Sequence, residues 1–239
     1  MAETPDFDEA VALLTTEPGS PFEIAIREEG GRPMKVWANL PGSLREVFEG
    51  ARLHGEKTFL VYEGETWTFA ETMARVDEVA DALVNHFGVA PGDRVAIAMR
   101  NHPEWIFSFA AITSIGAIAV CMNAWWSEDE MAYGLEDSGT SVLIADVERI
   151  RTAEPSLARL GVRAMVVRHD GGVPAGVVRM AEVIRSGAAM PEVDVRLDHD
   201  ATILYTSGTT GFPKGAVSTH EAVLSANRAF ACRATVRAT

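Results

Sequence analysis

Cysteine is scarce in this chain, since only Cys121 and Cys232 occur among 239 residues. Two thiols are too few for a disulfide framework or a thiolate metal cage, and this usage is typical of a reducing compartment. The first ten residues, MAETPDFDEA, also lack the basic and apolar regions of a secretory signal. We therefore expect a cytoplasmic protein.

Positive charge is also in deficit, because 21 Lys and Arg residues face 34 Asp and Glu residues for a net charge of −13. A field of this sign repels nucleic acids and anionic membranes at long range. We therefore expect no nucleic-acid partner. A polyanionic ligand would have to bind at a local site that contains basic residues.

No histidine spacing typical of a metal site is present, so no metal ligand is assigned. The six histidines are scattered at His54, His86, His102, His169, His199 and His220. Asp198 and Asp200 would point to one side of an extended segment, but a cation site needs more converging oxygens. We expect a solvated loop before a strand there, and we interpret the acidic residues 127–130 as favourable charge at a helix start.

Charged side chains are absent from residues 105–127, WIFSFAAITSIGAIAVCMNAWWS, a run long enough to span a bilayer. Gly116 interrupts it, and AIAVCM after the glycine is typical of a short buried strand. We expect a buried helix followed by a strand and no transmembrane segment, and peripheral contact with a membrane stays open. Core packing is the favoured role of Trp125 and Trp126 over lining an acyl site or touching lipid.

Apolar strands alternate with helical segments along the rest of the chain. The pattern predicts a hairpin over residues 58–69, a helix capped by Thr68 and Glu71, and a helical segment over residues 176–187. This alternation predicts an α/β fold with a layered, mostly parallel sheet flanked by helices. Residues 1–35 mix acidic and Gly/Pro-rich pieces, and we expect a loosely ordered lead-in there.

The segment YTSGTTGFPKGAV, residues 205–217, combines groups that bind phosphate. Glycines allow close backbone approach, hydroxyls donate hydrogen bonds, and a lysine supplies a compact charge. These residues are Thr206, Ser207, Gly208, Thr209, Thr210, Gly211, Lys214 and Gly215. The Walker A pattern fails, because Pro213 precedes Lys214 and Gly215 follows it. On composition alone, an ordinary surface turn remains an alternative.

The string LYTSGTTGFPKG, followed by Thr219 and His220, resembles the phosphate loop of the adenylate-forming (AMP-binding) enzymes. Residues 67–71, 92–105 and 123–146 are similar to the amino-terminal part of actinobacterial fatty-acyl-CoA synthetases. The resemblance covers roughly residues 35–225. One departure is Ala124, where many members have proline.

The resemblance implies the amino-terminal domain of the adenylate-forming fold and a two-step ligation. A carboxylate, here a fatty acid, attacks the α-phosphate of ATP, pyrophosphate leaves, and the acyl group passes to the thiol of CoA. ATP, Mg²⁺ and CoA are the implied small-molecule ligands. The residues implied to bind the β- and γ-phosphates are Thr206, Ser207, Gly208, Thr209, Thr210, Gly211 and Lys214.

Strings that the family places after this loop do not occur in these 239 residues, including YGxTE-like and TGD-like motifs. Residues 36–239 are therefore expected to form an incomplete AMP-binding domain without a complete set of catalytic residues. Two hypotheses follow. The chain is the amino-terminal part of a fatty-acid–CoA ligase, or it is a truncated, non-catalytic module that at most binds nucleotide phosphates weakly.

Overall fold

A computed structural model describes residues 6–206 and 213–238 and contains one large sheet and two separate hairpins. The strands are β1 (Ile24–Glu29), β2 (Arg32–Trp37), β3 (Thr58–Tyr62), β4 (Glu65–Thr68), β5 (Arg94–Ala98), β6 (Ile118–Cys121), β7 (Val142–Asp146), β8 (Arg163–Val167), β9 (Val177–Arg179), β10 (Asp200–Thr206) and β11 (Lys214–Thr219). The helices are α1 (Phe7–Thr16), α2 (Leu44–Ala51), α3 (Phe69–Asp81), α4 (Pro103–Ser114), α5 (Glu128–Asp137), α6 (Val147–Leu160), α7 (Met180–Val183) and α8 (His220–Ala238).

The large sheet has seven strands in the order β11-β10-β6-β5-β7-β8-β9. All neighbours are parallel except β11, which runs antiparallel to β10 at the edge. Strands that are buried on both faces have continuous apolar sequences, as β5 and β7 do. The predicted α/β fold with a mostly parallel, helix-flanked sheet is confirmed.

Alternate residues of the central strands face two separate apolar layers, as the period of two requires. Val95 and Ile97 pack with the α3 and α4 side chains on one face of the sheet. Ala96 and Leu143 pack with α5 and α6 side chains on the other. The two layers therefore hold the central sheet between two pairs of helices.

The uncharged run at residues 105–127 is divided between α4 and β6, as predicted. Gly116 has a φ of 72° and turns the chain between them, a conformation that residues with a Cβ rarely adopt. Ile112 and Val120 have no exposed surface. Within the described residues, no helix is long and apolar enough to cross a bilayer.

The predicted hairpin is β3 paired with β4, and the predicted capping box is present. The Thr68 hydroxyl accepts from the backbone N–H of Glu71, and the Glu71 carboxylate accepts from the backbone N–H of Thr68. A second capping box joins Ser127 and Glu130 at the start of α5. The acidic residues there are thus part of a helix start.

The prediction of helix over residues 176–187 is largely wrong, because only α7 is helical there. Val177 and Val178 instead form β9 and pair with β8, where β-branched side chains fit a pleated surface. Helix α6 was not predicted. Its N-cap, Asp146, is also the last residue of a strand, and Pro155 lies in its interior, so the usual start and continuation signals are weak.

The first 35 residues contain α1, β1 and the start of β2, where a loosely ordered lead-in was expected. Arg27 of β1 forms an ion pair with Glu221 of α8 at 2.7 Å. The Trp37 indole N–H donates to the Ser225 carbonyl oxygen at 3.1 Å. These long-range contacts hold a segment whose own helix, α1, has no buried residue. A domain boundary at residue 35 stays a prediction.

Candidate phosphate-binding site

Thr206 and Lys214 are the two described ends of the Gly- and Thr-rich segment, and the structure brings them together. They are paired across the antiparallel strands β10 and β11. The Thr206 hydroxyl donates a hydrogen bond of 3.4 Å to the carbonyl oxygen of Lys214. The predicted residues Ser207, Gly208, Thr209, Thr210 and Gly211 lie outside the described residues. The described part of the site is therefore the pair of residues Thr206 and Lys214, between which residues 207–212 lie in the sequence.

This pair lies at the carboxyl edge of the parallel sheet, where open α/β sheets bind ligands. Leu204 of β10 pairs with Cys121 of β6, so Thr206 lies just past the end of β6. Both Thr206 and Lys214 are exposed. Lys214 forms no salt bridge within residues 6–206 and 213–238. The ammonium group of Lys214 is thus available to an anion at this edge, next to the Thr206 hydroxyl.

Tyr205, directly before Thr206, is tied to helix α5. Its hydroxyl donates to the Asp137 carboxylate at 2.7 Å and lies 3.2 Å from the Gly134 carbonyl oxygen. Burial, followed by the neighbouring Asp137, raises the pKa of this phenol, so the hydroxyl keeps its proton. Sequence reasoning named Tyr205 only as the start of the motif. Its partner Asp137 is 68 positions away, and no feature of the neighbouring sequence marks Asp137 as that partner.

The Tyr205 ring is packed between two residues. Trp126 meets it edge-on, with ring centroids 5.3 Å apart. On the other strand, Gly215 is its cross-strand partner, and a Cβ built on Gly215 would lie 3.3 Å from the Tyr205 Cζ atom. Trp126 is half-buried in the layer with α5 and α6, in line with the predicted role in packing.

Trp125 corrects the prediction of core packing, because 74% of its surface is exposed. The Arg100 guanidinium lies 4.7 Å from the centroid of its ring, and Arg149 lies 5.7 Å away. Buried Arg149 donates from Nε to the Ala124 carbonyl oxygen at 2.7 Å. The sequence gives consecutive tryptophans, but the turn after β6 points only one of them into the core.

A second polar cluster lies at the same edge, past the end of β8. Arg168 contacts Glu65 at 2.8 Å and Glu104 at 2.7 Å, which joins the β3–β4 hairpin to α4. Hydrogen bonding to Arg168 lowers the pKa of Glu65 to about 2. Arg168 also helps to line a cavity of about 320 Å³ with Arg100 and Asp146. These charges are mutually compensated.

The Asp and His residues that were considered as metal ligands make contacts with other parts of the protein. Asp198 pairs with Arg196 at 3.1 Å just before β10. His220 is fully buried, and its Nδ1 accepts a hydrogen bond from the backbone N–H of Leu44. Among the residues that the structure describes, no three His, Cys, Asp or Glu side chains are grouped to hold a metal ion.

The fold and the hairpin place the chain among α/β proteins with a Gly- and Thr-rich connection at the carboxyl edge of a parallel sheet. The model of the family described as "AMP-binding enzyme" matches residues 47–238. The chain therefore belongs to the AMP-binding enzyme family, as the resemblance of its motif predicted.

Curated relatives include CoA ligases for different acids. The long-chain-fatty-acid–CoA ligase FadD13 of Mycobacterium tuberculosis is 36% identical over 171 residues, which are 71% of this chain and 33% of that protein. A feruloyl-CoA synthase of an Amycolatopsis species is 36% identical over 170 residues, 71% of this chain and 32% of that protein. The chain thus spans about a third of the length of these relatives.

Solved structures of similar fold belong to the same family. The anthranilate CoA ligase AuaEII, in complex with anthranoyl-AMP, has a TM-score of 0.70 and 27% identity over 77% of this chain and 36% of its own. A Mycobacterium tuberculosis fatty acyl CoA synthetase has a TM-score of 0.67 and 28% identity over 79% of this chain and 37% of its own. The mostly parallel sheet is therefore that of the amino-terminal domain of adenylate-forming enzymes.

Proposed function

We propose that this chain is the amino-terminal, ATP-phosphate-binding part of an AMP-forming acid–CoA ligase. The observation that carries the proposal is the pairing of Thr206 with Lys214 at the carboxyl edge of the sheet, which brings the two ends of the Gly- and Thr-rich segment together. Membership of the AMP-binding family and the ligase activity named for its relatives support it.

The proposed phosphate ligands are Thr206, Ser207, Gly208, Thr209, Thr210, Gly211 and Lys214. Hydroxyl and backbone N–H donors hold the β- and γ-phosphates, and Lys214 offsets their charge in a protein that is otherwise acidic. ATP, bound with Mg²⁺, supplies the phosphoanhydride that activates the carboxylate. Donors fixed before the reaction stabilise the negative charge that grows on pyrophosphate, and losing one costs about 3 kcal/mol in such sites.

The finer proposal for the acid is a fatty acid, with CoA as the acceptor and the cytoplasm as the location. It is supported by the resemblance of residues 92–146 to fatty-acyl-CoA synthetases and by the similarity to FadD13. An aryl acid is the alternative, supported by an equally similar feruloyl-CoA synthase. Pyrophosphate release with a panel of fatty and aryl acids decides between them.

The second candidate is a non-catalytic module that binds nucleotide phosphates without ligation. It requires only the phosphate contacts proposed for residues 206–214, of which Thr206 and Lys214 are paired across β10 and β11. The intact mass of the native protein from its source separates the two candidates. A species roughly twice the mass of this chain supports the ligase, and a species of 25.8 kDa supports the module.

Lys214→Ala tests the phosphate site in either case. We expect MgATP affinity, measured by calorimetry on the native protein, to fall about a hundredfold, since a charged hydrogen-bond donor is lost. Lys35→Ala, which removes an exposed lysine on β2, is the matched control and should bind as the unaltered protein does. Equal affinities for the two variants would contradict the proposal.

A further inference from the structure

We infer that Tyr205 is a positioning residue that holds both arms of the phosphate loop, through packing on Gly215 and a hydrogen bond to Asp137 of α5. This inference rests on the proposed function, because it assigns Tyr205 a role only if the loop binds phosphate. Tyr205 itself is not a proposed phosphate ligand. It acts through Thr206, its neighbour in sequence, and through Lys214, which adjoins Gly215.

The ring of Tyr205 lies over the opposite arm of the hairpin. A Cβ built on Gly215 would be 3.3 Å from Tyr205 Cζ and 3.4 Å from Cε1. The aromatic ring therefore fills the space beside a backbone that has no side chain of its own. Since Gly215 directly follows Lys214, a shift of the ring moves the base of the proposed cationic ligand.

The hydroxyl of Tyr205 anchors the ring to a rigid element. Its acceptor, Asp137, is the last residue of α5, and it lies 2.7 Å away. Helix α5 is fixed in turn by Met131 and Leu135, whose exposed fractions are 0% and 1%. A hydrogen bond to a carboxylate is roughly twice as strong as one between neutral groups. This directional bond thus connects Tyr205, the residue before Thr206, to a helix that packs in the core.

Trp126 confines the ring from the third side, and Gly134 makes this contact possible. A Cβ built on Gly134 would lie 2.5 Å from Trp126 Cζ3, a separation that carbon atoms do not tolerate. The indole therefore occupies the space above Gly134 and meets Tyr205 edge-on. An added methyl group at position 134 would displace Trp126, which contacts Tyr205.

This arrangement differs from general core packing because Gly215, Asp137 and Trp126 all contact Tyr205. Tyr205 directly precedes Thr206, a proposed phosphate ligand. Productive phosphate binding requires ligands held within about 0.5 Å, which supporting residues provide. Tyr133 also interacts with the Asp137 carboxylate, so Asp137 serves both tyrosines. The cleanest single change is consequently removal of the Tyr205 hydroxyl, which leaves the ring and Asp137 in place.

The experiment measures MgATP binding and thermal unfolding of the native protein with Tyr205→Phe. We expect affinity to fall about tenfold, as for loss of a charge-assisted hydrogen bond. Tyr62→Phe is the matched control, because the Tyr62 hydroxyl also has a partner, His102 Nδ1 at 3.1 Å, but lies on another hairpin. Tyr62→Phe should leave affinity unchanged.

Gly134→Ala separates positioning from a general loss of stability. Well below its unfolding temperature, this variant should bind MgATP more weakly, since the added methyl group displaces Trp126 from its contact with Tyr205. An unchanged MgATP affinity in a folded but less stable Gly134→Ala variant would overturn the inference. So would equal MgATP affinities for Tyr205→Phe and Tyr62→Phe while Lys214→Ala still lowers the affinity about a hundredfold. If the unaltered protein binds no MgATP, the proposed function fails and the inference falls with it.

Discussion

His220 Nδ1 accepts a hydrogen bond of 3.1 Å from the backbone N–H of Leu44, although 176 positions separate the two residues. Leu44 is the first residue of α2, and His220 begins α8 directly after β11. The imidazole is fully buried. An accepting Nδ1 requires the neutral ring, with its proton on Nε2. This contact joins an early helix to the far end of the strand that begins at Lys214.

The pH dependence of stability should depend on His220. Burial, and then the nearby His199, lowers its pKa from 6.5 to about 4. Because the unfolded chain binds the proton more readily, this contribution to stability is complete above pH 6.5 and is lost as the pH falls toward about 4. We expect the free energy of unfolding in urea to decline over this window in the unaltered protein and to decline less in His220→Gln.

The control for this experiment is His86→Gln, because His86 is exposed. Its profile should run parallel to that of the unaltered protein. At pH 7.5, His220→Leu should lose about 1–3 kcal/mol, since leucine leaves the buried N–H of Leu44 without the acceptor that His220 supplies. Parallel declines in the unaltered protein, His220→Gln and His86→Gln between pH 6.5 and about 4 would contradict the assignment.

Local signals predicted the elements that rely on local contacts. The capping box at Thr68, the helix start at residues 127–130 and the buried strand β6 could be predicted because capping and burial patterns depend on residues a few positions apart. The contacts of the candidate site could not be predicted from the local sequence. Tyr205 reaches Asp137, and His220 reaches Leu44, only after the sheet has formed. Val177 and Val178 became a strand because β8 offered a free edge.

The two adjacent tryptophans should differ in their effect on stability. Trp125→Ala removes an exposed indole and its contact with Arg100, and should cost about 0.5–1 kcal/mol. Trp126→Ala leaves a space above Gly134 and beside Tyr205, and should cost about 3 kcal/mol. Urea unfolding of both variants at pH 7.5 measures the difference. Similar losses would mean that both rings are packed alike.

Arg168 combines a backbone φ of 51° with ion pairs to Glu65 and Glu104. Arg168→Ala and Arg168→Gly both remove the ion pairs, but only glycine adopts this conformation without strain. We expect Arg168→Gly to be more stable than Arg168→Ala by about 1 kcal/mol. Comparing the two variants by chemical denaturation measures the free-energy cost of this backbone conformation separately from the lost ion pairs. An alanine variant at least as stable as the glycine variant would show that the backbone is relaxed there.

Gly116 should tolerate alanine poorly, because it turns the uncharged run from α4 into β6. Its φ is 72°, and a Cβ would lie 3.3 Å from the Pro91 Cβ. Gly116→Ala should therefore lower the free energy of unfolding by about 1–2 kcal/mol. Gly50→Ala is the matched control, and its expected effect has the opposite sign. Gly50 lies in α2, and a Cβ built on it has no heavy atom within 4 Å. Alanine is the better helix former, so this variant should gain about 0.5–1 kcal/mol in the free energy of unfolding. If the denaturation midpoints of Gly116→Ala and Gly50→Ala shift in opposite directions, the result supports a tight turn between a buried helix and a buried strand. Stabilisation by both substitutions would mean that α4 continues through Gly116.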